Sequence, residues 1–182
     1  MEETFEGIVT SFMEEAAALL AIDSPTGYTA GAADHVMAAY RALGLAPEQT
    51  RKGGVLVCLN PEAPEAGGLL LEAHVDTLGG MVTEIIAAGR LNLTNLGGMN
   101  PNNAEAENVR VITKFNGIYE GTCQLANPSV HVNGSYGTTP RTWDVMEVIL
   151  DEDVKTKADA EALGIMAGDY VCFEPRFRVT EK

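Results

Sequence analysis

The chain has 182 residues, a length that ordinarily forms one domain or two small ones and can bury a core without covalent staples. Its 26 acidic residues against 12 Lys plus Arg give a net charge of −14 at pH 7, which repels phosphate backbones and anionic lipid and argues against nucleic-acid or membrane partners. Solubility alone also explains such acidity, so the charge names no ligand.

Cys58, Cys123 and Cys172 stand far apart in apolar, strand-like contexts with no CxxC pair, the usage of a reducing compartment. The start, MEETFEGIV, is acidic where a signal peptide is basic, and no apolar run reaches the ~20 residues of a membrane span. A cytoplasmic location is the expectation.

In chain order, Phe5, Ile8, Val9, Phe12, Ala16, Leu19 and Leu20 recur at three- and four-residue steps, which predicts an amphipathic helix over 3–22 with one buried face. It stops at Asp23-Ser24-Pro25, since proline disfavours helical geometry in the residue before it. After Pro25-Thr26-Gly27-Tyr28, Thr29 can cap a helix over 29–43 that faces Val36, Met37, Tyr40 and Leu43 inward and ends at Gly44. Short apolar runs at 55–59 and 69–76 then read as strands covered on both faces, so the expected class is α/β. Cys58, between Val57 and Leu59, reads as a core residue.

The character changes after Gly79-Gly80. Residues 81–86 and 90–96 are joined by Ala-Ala-Gly, and 108–115 and 118–125 by Asn116-Gly117, both hairpin patterns. A strand over 143–150, a helix from Thr156 through Leu163 ended by Gly164, and strand-like segments at 169–174 and 176–180 complete the chain.

The segment with chemistry is Leu69-Leu70-Leu71-Glu72-Ala73-His74-Val75-Asp76-Thr77-Leu78-Gly79-Gly80. Alternation sends His74 and Asp76 to the same face of a strand end, a geometry that suits a histidine ligand oriented by an acceptor on its second ring nitrogen. By itself His-x-Asp also describes a structural histidine. His131 has a structural or interface role as its simplest reading, with alternation placing it opposite Val130 and Val132. His35 reads as a surface histidine and Asp151-Glu152-Asp153 as a solvated turn. Gly79-Gly80 and Gly97-Gly98 lack the strand–glycine–helix context of a phosphate loop.

The string AHVDTLGGMVTEI with the following GRLNL and LGG resembles the His-x-Asp segment of the glutamyl-aminopeptidase and cellulase-M-like family, the tetrahedral aminopeptidases. The resemblance begins at Ser24-Pro25-Thr26-Gly27-Tyr28 and runs through His131, the 143–150 strand and Gly168-Asp169-Tyr170-Val171. It implies that His74 is a ligand of one of two zinc or cobalt ions, oriented by Asp76, in an enzyme that removes amino-terminal residues from peptides. It further implies an α/β catalytic domain beginning in 1–80, an inserted β-rich dimerisation and assembly domain at 81–168, a return to the catalytic domain at 169–182, and a homo-oligomer. Glycoside hydrolysis, which the cellulase name suggests, requires a placed carboxylate pair that the sequence does not display.

The family's bridging aspartate, Glu-Glu pair, further carboxylate ligand and distal histidine all fall beyond the point matching Glu181-Lys182. The resemblance therefore implies weak, single-site metal binding and no turnover by this chain alone. A split enzyme, a shortened one and a non-catalytic assembly module are the readings it leaves.

Overall fold

Thr4 opens the first helix by accepting the amide of Gly7 on its hydroxyl at 3.2 Å, and α1 runs from Phe5 to Leu20. The computed structural model describes residues 4–62 and 68–180; Glu3, expected to begin this helix, and the terminal Glu181-Lys182 lie outside them. α2 spans Ala30–Ala42. It ends in a Schellman arrangement: the Leu45 amide donates to the Tyr40 carbonyl at 3.1 Å and that of Gly44 to the Arg41 carbonyl at 2.9 Å. Gly44 supplies the left-handed φ of +78° that this requires. Thr29 precedes α2 without a side-chain cap, and of its predicted inward face Met37 is buried while Leu43 is exposed. Two residues each of β1 (Glu48–Gln49) and β2 (Val55–Leu56) pair antiparallel.

These helices, the small hairpin and the chain to Asp76, with the segment from Pro175, make one compact unit; residues 77–174 make a second. Three expectations about the first unit are corrected. The apolar face of α1 is not buried: none of its residues is, and Phe12 is 68% exposed. The strand at 55–59 shrinks to Val55–Leu56, and Cys58 is exposed rather than in a core. Residues 69–76 form no strand, and Leu69 is 85% exposed. A parallel strand is defined by its neighbours, and among the described residues nothing pairs with this segment. An apolar run signals fitness for burial; the covering partner has to be supplied separately.

The second unit is a closed antiparallel barrel. Its strands are β3 (Gly79–Ile85), β4 (Leu91–Leu96), β5 (Glu107–Ile112), β6 (Ile118–Leu125), β7 (Met146–Leu150) and β8 (Tyr170–Phe173), in the order β3-β4-β7-β6-β5-β8. Alternate residues point inward: Leu91 and Leu93, Val109 and Val111, Cys123 and Leu125, Met146, Val148 and Leu150 all join one buried cluster. Gly121 sits on β6 opposite β7, where a Cβ would collide with the carbonyl oxygen of Ile149.

α3 (Lys157–Ala162) starts with a capping box between Thr156 and Asp159 and adds Ala160 to the same core, with Ile165 following. Asn116, at φ 64°, closes a three-residue hairpin loop between β5 and β6, where Thr113 bonds Gly117 through its amide at 2.9 Å. Asn116-Gly117 thus ends a longer loop and is not a two-residue turn.

The unit boundaries at 76/77 and 174/175 differ from the expected 80/81 and 168/169. Strand β8 explains the larger shift. Its residues pair with β3 through Val171 and Gly80 and with β5 through Cys172 and Arg110, so 169–174 closes the barrel and does not return to another domain. No strand forms at 176–180.

Candidate functional site

Pro25 and Asp76 end the two segments that meet at the candidate site. Ser24 and Pro25 are fully buried, which anchors the turn after α1. Its Tyr28 amide donates to the Pro25 carbonyl at 2.7 Å, and Gly27 takes φ +95°. That turn presents Thr26, whose hydroxyl donates to Oδ2 of Asp76 at 2.6 Å across 50 residues of sequence.

The other carboxylate oxygen of Asp76 faces Nδ1 of His74 at 3.1 Å, and the backbone carbonyl of Asp76 lies 2.9 Å from the same nitrogen. Both neighbours are acceptors, so Nδ1 carries the proton and donates to them. Nε2 is left as the lone-pair nitrogen, on a side chain 85% exposed. The Thr26 hydrogen bond foremost holds the Asp76 carboxyl below the usual carboxylate range, with burial opposing it and the imidazole of His74 assisting to a lesser degree. Asp76 is therefore ionised throughout the range in which a histidine can be neutral, which is the state that keeps Nδ1–H pinned.

Sequence reasoning paired His74 with Asp76, and the structure brings them together, although through a local i, i+2 contact in irregular backbone and not through a shared strand face. It missed Thr26, which no spacing rule connects to a residue 50 positions away; the only signal was its place in the Ser24–Tyr28 segment. His131 lies in an exposed turn in which the Val132 and Asn133 amides both donate to the Ser129 carbonyl. The expected alternation there does not exist, since Val130 and Val132 are exposed as well. His35 is half-buried, with Nε2 2.7 Å from Glu15 between α1 and α2.

A metal fits this donor set in part. A neutral imidazole with one nitrogen tied down and the other open is one good ligand. Among the described residues, however, no group of three or more His, Cys, Asp or Glu is assembled to hold an ion. The site supplies one coordination position and its support, short of the several protein ligands that a two-metal centre uses.

The Bacillus subtilis protein YhfE, named as an aminopeptidase, is 37% identical over 172 residues, which are 94% of this chain and 49% of that protein. An aminopeptidase from the archaeon Desulfurococcus kamchatkensis superposes with a TM-score of 0.79 at 19% identity, over 95% of this chain and 46% of its own. The TET1 peptidase of Pyrococcus horikoshii, which can assemble into a tetrahedron or a large octahedral shell, gives 0.66 at 20% identity over 93% and 48%. At those identities the structural likeness speaks for the fold alone. The chain spans about half the length of the curated relatives it matches. The profile of the M42 glutamyl aminopeptidases matches residues 53–182, and the chain belongs to that family.

Proposed function

We propose that this chain is the amino-terminal part of a metal-dependent aminopeptidase that removes amino-terminal residues from peptides. In this reading the first unit begins an α/β catalytic domain, and the barrel is the inserted domain through which copies assemble. The observation that carries it is His74, with Nδ1 committed to Asp76 and Nε2 open, in a chain of the M42 family.

Two zinc or cobalt ions, when bound to a complete ligand set, would activate a water and polarise the peptide carbonyl. The task of His74 is to offer Nε2 to one of them. Asp76 contributes by holding the proton at Nδ1, which fixes both the tautomer and the ring orientation. With one such ligand, the isolated chain binds zinc or cobalt weakly at a single position and turns nothing over.

Titrating the chain and a His74→Ala variant with zinc, and assaying both on a chromogenic leucine or glutamate amide with cobalt present, tests this reading. Weak uptake of one ion that disappears in the variant is expected. Tight stoichiometric uptake of two ions, or turnover lost on the substitution, would overturn the proposed incompleteness.

A second reading, a non-catalytic assembly module or one half of a split enzyme, draws support from the barrel closing around a core of its own and from the shells formed by the Pyrococcus protein. Both readings include a homo-oligomer, which light scattering at micromolar concentration checks; a clean monomer counts against both. A cytoplasmic location is part of the proposal, supported by Cys58, Cys123 and Cys172 standing as free thiols. No helix among the described residues is long and apolar enough to cross a membrane.

A further inference from the structure

We propose that Thr26 is a positioning residue for the His74–Asp76 pair: its hydroxyl locks the Asp76 carboxylate in the one orientation that pins Nδ1–H of His74 and turns Nε2 toward a divalent cation. The proposal rests on His74 being a ligand and extends the site to a residue on a different loop.

The two oxygens of Asp76 have separate duties, Oδ2 receiving Thr26 Oγ1 at 2.6 Å and Oδ1 facing His74 Nδ1 at 3.1 Å. The terminal torsion of an aspartate is broad and roughly two-fold, so a carboxylate held only by the histidine can rotate and exchange its oxygens. A second donor on the far oxygen removes that freedom. The donor is itself well placed. Thr26 follows two fully buried residues, Ser24 and Pro25, in a turn closed by the 2.7 Å hydrogen bond from Tyr28 to Pro25, and its β-branch restricts χ1.

Asp76 is 37% exposed, so water competes for both oxygens and preorganisation matters more here than it would in a sealed core. Removing Thr26 leaves water as the alternative donor to Oδ2, and water imposes no direction. The imidazole would then keep only the Asp76 backbone carbonyl, 2.9 Å from Nδ1, as a fixed acceptor, so the Nδ1–H tautomer loses part of its bias and the proton spends more time on the nitrogen meant for the cation.

The test uses the full chain with isotope-labelled histidine. Thr26→Val keeps the shape and deletes the donor, Thr26→Ser keeps the donor, and Thr26→Ala is a second donor-less variant should the valine fold poorly. Imidazole nitrogen shifts at mildly alkaline pH report the His74 tautomer, and zinc alone is the probe for affinity. The expectation is a mixed tautomer in the valine and alanine variants and zinc binding weakened roughly 3- to 10-fold, below the 10- to 100-fold typical of a residue touching the ligand directly. The serine variant should stay close to the parent in both.

An unchanged tautomer in the donor-less variants overturns the proposal, and so does a serine variant as impaired as valine, which would assign the effect to packing of the turn. His74→Ala separates the two levels. If it leaves zinc binding untouched, the metal reading fails, while the tautomer measurement still decides the role of Thr26.

Discussion

Leu69 and Leu91 are both leucines in short apolar runs, yet Leu69 is 85% exposed and Leu91 is fully buried. The difference belongs to their surroundings. Leu91 lies on a barrel strand paired on both sides, with β3 through Ile85 and with β7 through Val148, and its side chain enters a cluster fed by all six strands. Leu69 begins a segment for which the described residues offer no ladder. The barrel thus pairs its strands on both sides and closes a core of its own. The first unit carries the His74–Asp76 pair, and apolar residues of α1, Phe5 and Phe12 among them, face solvent.

The sharpest way to test the contrast is to truncate an apolar side chain in the barrel. Leu91→Ala removes three carbons from a filled core and leaves a cavity that neighbouring strands cannot collapse into, at a cost of roughly 2–5 kcal/mol. Trp143, the only tryptophan in the chain, packs against that core, so its fluorescence reports barrel unfolding directly. The expected result is a large drop in the denaturant midpoint of the tryptophan signal. A shift within the range of a surface substitution would mean that the barrel core is not the stabilising element described above.

This contrast also explains what could be read from the sequence. The hairpins at 81–96 and 108–125 were legible because hairpin formation is local: alternation sets the inward face, and a turn residue such as Asn116 sets the reversal. The 156–164 helix was legible for the same reason, its cap residue Thr156 and terminal Gly164 lying within nine residues. Strand β8 was legible as a strand and was assigned to the wrong unit, since its partners Gly80 and Arg110 lie 91 and 62 residues upstream of Val171 and Cys172 and pairing over such distances leaves no periodic trace. The strand at 69–76 failed because an apolar run reports only what a segment would bury. At the site, His74 and Asp76 were visible through their spacing. Thr26 reaches them through tertiary structure alone.

A smaller effect is expected from the polar link that holds the 127–142 loop on the barrel. Arg141 grips Glu105 with Nε at 2.8 Å and Nη2 at 3.0 Å, bonds the carbonyls of Tyr136 and Thr139, and lies 4.8 Å over the Tyr136 ring. The Arg141 hydrogen bonds hold the Glu105 carboxyl below its ordinary value of 4.5, burial opposing them and the arginine charge and Tyr136 hydroxyl assisting. An acid whose folded pKa is depressed contributes stability above its unfolded value and loses it as pH falls through the folded one. Arg141→Met should therefore lower the barrel melting temperature by a few degrees above about pH 6, with the gap to the parent narrowing below the ordinary carboxylate range. A gap that stays constant with pH would assign the loss to packing of the arginine stem and not to the ion pair.

The smallest effect is expected from Phe12→Ser, and its smallness is what makes it informative. Phe12 is a large apolar residue in the middle of α1, and by composition alone its loss would rival that of Leu91. Because its ring is 68% exposed, little apolar surface is returned to water on unfolding, and the substitution should change stability by no more than about 0.5 kcal/mol. Serine and phenylalanine have nearly equal helix propensities, so the helix itself is little affected. Solubility should rise, since an apolar contact point for other chains has been removed. Denaturation followed by helix signal at two protein concentrations, for parent and variant, measures both quantities. Should the substitution cost as much as Leu91→Ala, the face is covered in solution, and the concentration dependence identifies the cover: a cost that fades on dilution points to a second copy of the chain, whereas a cost that persists requires burial within the single chain and breaks the comparison between the two units.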